Sequence, residues 1–458
     1  MGAAISYKYT NTWHTMQNYR VMTVNIDEGN SDDPVACCTY ADDAIDMSAG
    51  FSDDAITAWQ EFFKYRPCIL CGNEVMEYLD PDNYNLRDDG TPSLLSGRTH
   101  NTVNGRLGVE TYEEHWLWNT EKQKIMRIMI EWPRLGIKIT KQDNIVSISM
   151  TDRPNAPGYS YQAYYLNGVS YDHLYIESNF CHLSNDDVGS DAVAFYFADP
   201  TEMPAGEHWR FNEVATTKAT LLNNIRGTEV GTANYHLTNY HQLNIIQCAY
   251  VLHSKSIGKP KVAGVPANSM LRTPSLTNGR FGYYRSDVYY GDNFYTMLFG
   301  LYNLYHYSQE YSDKHFMVYD GICCTDVGEF FIMHDGAETS RWGDVSGYQK
   351  VTATGDVSDH YAGGAPVKSI IGGTGTFLVN STYDGYGDSH YWGWYHMLPP
   401  NLQYTPASNP ELDGTDDVVV CGQYMTTDGA DQMGGIFSIS SSEYNWPGQM
   451  WFRVSVLL

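Results

Sequence analysis

One segment, HLTNYHQLNIIQCAYVLHSKS (236–256), reads as a long helix, and little else in the chain does. Leu243, Ile246, Tyr250 and Val251 fall on one stripe at helical spacing, Asn239 or Thr238 supplies a start, and Gly258-Lys-Pro260 supplies a stop. After about residue 290 the apolar residues come in short pieces such as GEFFIMHDG, KSIIGGTGTFLV, DDVVVCGQYM, GGIFSISSS and MWFRVSVLL, set among Gly, Asp, Ser and Tyr. One long helix with short strands on long loops predicts an α+β chain. A heptad run or fixed-period repeat is absent, which excludes coiled coils and solenoids.

Strand signals precede the helix. Ile137 and Ile139, then Val146, Ile148 and Met150, alternate with polar residues around Gln142-Asp-Asn and predict a β-hairpin. YQAYYLNGVSYDHLYIES carries a second strand signal, with Asn167-Gly168 as its tight turn. Residues 1–111 read as a separate, irregular region. Within it Ile56, Trp59 and Phe62 or Phe63 share one side of a helix capped by Ser52. YLDPDNYNLRDDGTPSLLSGRTHNTVNG follows as a long loop or arm, rich in turn formers. A chain of 458 residues exceeds one ordinary core, so the expected division is 1–111 and 112–458. The larger part is strand-rich over 128–180, helical over 236–256 and loop-rich over 290–458.

Charge narrows the function classes. Against 54 acidic residues stand 28 basic ones, a net charge of −26, which repels phosphate backbones and anionic lipid. The 37 tyrosines against 16 phenylalanines suit a wet recognition surface or half-buried strands. Nine cysteines, an odd number with two vicinal pairs, do not form an extracellular disulfide framework. Cys68-Ile-Leu-Cys71 has zinc or redox spacing but lacks a second ligand pair. His236 and His241, five apart on the predicted helix, splay too widely to share a metal and read as core-edge histidines. The acidic turns DGYGD (384–388) and DGTDD (413–417) could hold calcium; no other cofactor is expected. The nucleophile elbow, zinc-protease motif and P-loop are all missing, and Ile371-Gly-Gly-Thr-Gly-Thr376 precedes a strand, not a helix. The opening MGAAISYKYTNTW lacks the order of a secretory leader, and no window is apolar enough to span a membrane, so folding in a cytoplasm is expected.

GLYNLYHYSQEYSD (300–313) resembles the G-I-x-N-L-W-G-N-x-W-E-W-x-D-G landmark of formylglycine-generating-enzyme-like domains, a branch of the C-type lectin fold. That landmark is frequent in phage and prophage tail-fibre and receptor-binding proteins. Gly300, Asn303, Leu304, Glu310 and Asp313 match, Leu301 substitutes for isoleucine, Tyr305 and Tyr311 replace tryptophans, Tyr307 replaces the asparagine, and His306, Gln309 and Lys314 depart. Further stretches lie in family order on both sides: the block 130–176, the block 216–256 with its NYHQL helix opening, and the tail from VVVCGQYM to the C-terminus.

The resemblance implies a loop-rich, C-type-lectin-like domain of short twisted antiparallel strands plus a long helix, preceded by an N-terminal virion-attachment and oligomerisation region. It makes Gly300, Asn303, Glu310 and Asp313 a structural landmark of the core. It further implies a bacteriophage virion protein, made in the bacterial cytoplasm, that adheres to a bacterial surface glycan or protein. Such a protein would contact other virion proteins, assemble as a homotrimer and bind neither nucleic acid nor membrane. Within TYDGYGDSHYWGWYHM, Tyr383, Tyr386, His390, Tyr391, Trp392, Trp394 and Tyr395 are the candidate receptor-binding residues, since aromatic plates among Gly and Asp suit stacking on sugars or a protein epitope. The copper-holding cysteine pair of the family's oxidases is not matched, since only Cys421 lies in that region, and no catalytic residue is assigned. The alternatives are a fibre-borne enzyme, either a glycan hydrolase or a formylglycine or sulfoxide-synthase relative, and a purely structural virion joint.

Overall fold

The computed structural model describes residues 19–27, 35–50, 52–97, 118–122, 124–178, 181–182, 222, 234–256, 281–286, 293–302, 307–308, 315–325, 330–339, 344–351, 405–406, 418–425, 440–443 and 449–458. First come β1 (Val21–Asp27), β2 (Cys38–Tyr40), helix α1 (Asp53–Phe63), β3 (Arg66–Cys71), β4 (Glu74–Asp80) and β5 (Asn83–Arg87). Then follow β6 (Trp118–Asn119), β7 (Lys124–Pro133), β8 (Gly136–Gln142), β9 (Ile145–Thr151), β10 (Tyr165–Leu166), β11 (Val169–Ser170), β12 (His173–Glu177) and β13 (Cys181–His182). A short strand, β14 (Tyr235–Leu237), leads into helix α2 (Tyr240–Ser254). Next are β15 (Phe281–Ser286), β16 (Asn293–Leu298), β17 (Leu301–Tyr302), β18 (Tyr307–Ser308), β19 (His315–Thr325), β20 (Phe330–Met333) and β21 (Tyr348–Val351). The last are β22 (Thr405–Pro406), β23 (Val418–Met425), β24 (Ser440–Glu443), β25 (Gln449–Phe452) and β26 (Val454–Leu457).

These elements make an α+β fold dominated by antiparallel sheet. The central sheet runs β14-β26-β12-β7-β3-β4-β5, with β6 paired to β7. A second sheet runs β2-β1-β9-β8. A third is built on β19, and a fourth runs β15-β16-β17 with β18. The C-terminal strand β26 lies inside the central sheet, antiparallel to both β12 and β14. It is locked there by reciprocal backbone bonds between Leu458 and His173.

The division at residue 111 is not a break in the fold. Strand β1 pairs with β9 from Val21↔Thr151 to Asp27↔Ile145, and β3 pairs with β7 from Arg66↔Glu131 to Cys71↔Met126. The change in composition at that point is therefore not a boundary between separate cores. The expected arm after residue 78 is likewise structured as far as Gly97. Its β4–β5 hairpin and following turns place Leu79, Tyr84 and Leu95 in a buried cluster with Ile69, Met126 and Ile128.

Both predicted turns are present. Gln142↔Ile145 closes the β8–β9 hairpin with Asp143 at φ 53°, and Leu166↔Val169 closes β10–β11 with Asn167 and Gly168 at φ 49° and 78°. Helix α1 starts at the Ser52 cap and buries Ala55, Trp59, Phe62 and Phe63. Helix α2 departs from the one-stripe expectation, because every residue from Tyr240 to His253 is buried. Sheets and turns surround it, so its polar residues need internal partners. His236 belongs to β14 and not to the helix.

Gly300, the first residue of the resemblance landmark, sits with Phe299 in the tight turn that joins Leu298 to Leu301, both at positive φ. The Phe299 ring lies 5.4–5.9 Å from the rings of Tyr65, Trp132, His253 and Phe63. Ser178 Oγ donates to the Gly300 carbonyl at 2.6 Å. Asn303, Glu310 and Asp313 lie outside the described residues.

Candidate functional site

Alternation along β7 sorts its side chains by chemistry. Ile128, Ile130 and Trp132 face the helix side of the central sheet, while Arg127, Met129 and Glu131 face away from it. Cross-strand register then sets Arg66 of β3 and Tyr175 of β12 directly beside Glu131. His173 reaches it on the diagonal from β12, and Tyr78 reaches it from β4, one strand beyond β3.

The Glu131 carboxylate is 3 % exposed, whereas Arg66 and His173 are 48 % and 44 % exposed. His173 Nδ1 approaches Glu131 Oε1 at 2.7 Å, and Arg66 Nη2 donates to Oε2 at 3.2 Å. The Arg66 guanidinium also lies over the Tyr78 ring, 3.7 Å from its centroid. Burial pushes the Glu131 carboxyl up, but hydrogen bonds from His173 and Tyr78 and the nearby Arg66 charge outweigh it, leaving the group below its ordinary value. The hydrogen bond to Glu131 raises His173. Burial, then the bond to Glu131, pushes the Tyr78 phenol up to about 12. Burial and the Glu131 charge likewise raise Tyr175 and the Cys68 thiol. The arrangement favours the charged form of Glu131 beneath a half-exposed imidazole and guanidinium, so proton exchange with solvent falls to His173 while the carboxylate keeps Arg66 oriented.

A second polar constellation surrounds the start of α2, deep in the core. Asn239 Oδ1 accepts from Gln242 N, and Gln242 Oε1 accepts from Asn239 N, a complete capping box. Gln242 Nε2 also donates to His236 Nε2 at 2.7 Å, so His236 carries its proton on Nδ1 and donates it to the Asn234 carbonyl. Burial keeps His236 below its ordinary value and lowers His241, whose Nε2 donates to the Met333 carbonyl, to about 4. Thr238, the backbone of Arg453 and Ser455 continue the network, and the Arg453 guanidinium binds the carbonyls of Glu177 and Ser178. Arg127 and Glu177 meet at 2.8 Å, both fully buried. These bonds join β12, β26, α2 and the Gly300 turn. Their geometry is that of a structural joint, with neutral imidazoles and satisfied amides.

The seven aromatic and histidine residues expected at the receptor surface, Tyr383 to Tyr395, lie outside the described residues, as do the acidic turns 384–388 and 413–417. Cys68 and Cys71 do not share a site, since Cys68 packs with Leu70 and Met129 on one face of the sheet and Cys71 with Ile69 and Met126 on the other. Among the described residues, no group of three or more His, Cys, Asp or Glu is placed to hold a metal ion, and no helix is long and apolar enough to cross a membrane. The Glu131 cluster was not singled out by sequence. Its signal was the lone carboxylate in the apolar run IMIEWP, but its partners come from three other strands. No protein-family model, curated protein or solved structure matches the chain.

Proposed function

We propose that this chain is a bacteriophage virion protein, a tail fibre or receptor-binding protein, whose lectin-like domain adheres to a bacterial surface glycan or protein without catalysis. The observation that carries the reading is the Phe299–Gly300 turn. The resemblance makes the 300–313 stretch a core landmark, and its first residue is tied into the core by Ser178 and by the aromatic cage around Phe299. The buried joint around α2 supports the same reading: it makes a rigid scaffold, and rigid scaffolds carry recognition on the loops between their elements. The candidate contact residues remain Tyr383, Tyr386, His390, Tyr391, Trp392, Trp394 and Tyr395.

The test is binding of the full-length protein to intact bacterial cells from a strain panel, with and without a calcium chelator, alongside an assay for reducing sugar released from the cell surface. Saturable, strain-selective binding without sugar release is expected. Sugar release would make the chain an enzyme. A folded protein that binds no strain would be a structural joint of a virion instead.

A further inference from the structure

Cys37 and Cys38 are neighbours in the chain, and in a regular strand their side chains would point to opposite faces. Here both are 2 % exposed and both join the same core cluster, with Met22, Val24, Ile26 and Trp59. Cys38 opens β2 opposite Ile26, whereas Cys37 precedes the strand in a turn. That turn is held by the Cys37 carbonyl accepting from Asp27 N and by Cys38 N donating to the Val35 carbonyl. The turn swings the Cys37 side chain to the side of Cys38, and the two sulfurs stand 3.7 Å apart.

We propose that Cys37 and Cys38 are a redox-active dithiol that closes to a vicinal disulfide by exchange with a low-molecular-weight disulfide and reopens under reducing conditions. The thiolate of one cysteine attacks the small disulfide, forming a mixed disulfide and releasing one small thiol. The second cysteine, deprotonated, attacks the protein sulfur of that mixed disulfide and expels the other small thiol. The protein loses two electrons and two protons, and the small disulfide gains them.

Proximity favours the second step over lingering as a mixed disulfide, because the attacking sulfur is already within van der Waals range. Both sulfurs are buried, so exchange requires this turn to open, and the turn lies at the surface, with Val35 57 % exposed. Reversibility follows from geometry. Cα atoms joined by one trans peptide are about 3.8 Å apart, below the usual disulfide span of about 4.4–6.8 Å, so the closed form is strained and easily reduced. Strained bonds of this kind belong with labile, regulatory disulfides and not with structural ones. The inference does not depend on the function proposed above.

The full-length protein is incubated, folded, in glutathione buffers spanning reduced to oxidised, then quenched, denatured, alkylated and digested. The expected product in oxidised buffer is a peptide holding both Cys37 and Cys38, unalkylated and lighter by two hydrogens, which returns to the doubly alkylated form when the buffer is made reducing. Cys38→Ser, and separately Cys37→Ser, should leave a persistent mixed disulfide at the remaining cysteine. If either variant fails to fold, the wild-type peptide mass still decides. Double alkylation across the whole series overturns the proposal. So does a stable mixed disulfide in the wild-type chain, or a bond from either residue to Cys68, Cys71 or Cys248.

Discussion

Gly336 lies directly against the Tyr165 carbonyl: a Cβ built on the glycine would stand 2.1 Å from that oxygen, and the residue holds φ at +66°. The contact interlocks two turns. Asn167 N donates to the Gly336 carbonyl and Gly168 N to the Asp335 carbonyl, while Asp335 and Gln162 exchange a side-chain and a backbone bond. Gly336→Ala therefore meets backbone on one side and a left-handed conformation on the other. The left-handed penalty alone is about 1–2 kcal/mol, and the overlap adds to it. Chemical denaturation should show a loss above about 2 kcal/mol, larger than that of an alanine at Gly158, where the backbone is also left-handed but the space is open.

The Arg127–Glu177 pair makes a sharper prediction. Both groups are fully buried at 2.8 Å, and Arg127 also lies 5.9 Å from the Tyr235 ring centroid. Removing one partner strands a charge in the core. Arg127→Met, or Glu177→Leu, should each cost about 3–5 kcal/mol, while the double change should recover much of that loss. A double-mutant cycle on urea midpoints measures the coupling. Additive losses would mean that the two side chains act independently.

The sequence was most informative where structure is local. The turns at Asp143 and Asn167-Gly168, the Ser52 cap and the Asn239 start of α2 each rest on residues within a few positions of one another, and each was legible. The sheets were not, because the partners are distant: β1 finds β9 across more than a hundred residues, and β26 returns to lie between β12 and β14. A change in composition near residue 111 carries no information about such pairing, so the sheets that join β1 to β9 and β3 to β7 could not be read from it. Helix α2 and its Asn239 start were legible, but its all-round burial was not. A stripe of Leu243, Ile246, Tyr250 and Val251 is visible, but burial of Gln242, Asn244 and Gln247 is decided by neighbours from other parts of the chain. Glu131 could be seen, whereas its cluster required four strands to come into register.

The capping box at the start of α2 has a second duty that a simple cap lacks. Gln242 closes the box through Oε1 and presents Nε2 to His236. Gln242→Glu keeps the acceptor but removes the donor, facing a carboxylate oxygen toward the His236 lone pair. Asn239→Ala should cost about 1–2 kcal/mol, the loss of an N-cap. Gln242→Glu should cost more at neutral pH than Asn239→Ala, and part of the loss should return on acidification, as either the new carboxyl or the imidazole takes up a proton. Thermal melts of both variants at two pH values separate the cap from the histidine contact.

His173 and Glu131 give the fold a pH signature with two opposite limbs. Hydrogen bonding to Glu131 raises His173, so its contribution to stability is fully present below the ordinary imidazole value of about 6.5 and is lost as pH rises through the raised folded value. The Glu131 carboxyl is held below its ordinary value, so its contribution is present above that value and is lost as pH falls through the depressed folded one. The pair is therefore most stabilising between the two, in mildly acidic solution. Urea midpoints measured across pH should fall less steeply above neutrality in His173→Gln than in the wild type, because the imidazole limb is gone. Glu131→Gln should flatten both limbs, since it removes the acceptor that shifts His173. A wild-type profile unchanged by either substitution would mean that the exposed imidazole exchanges its partner for water at no cost.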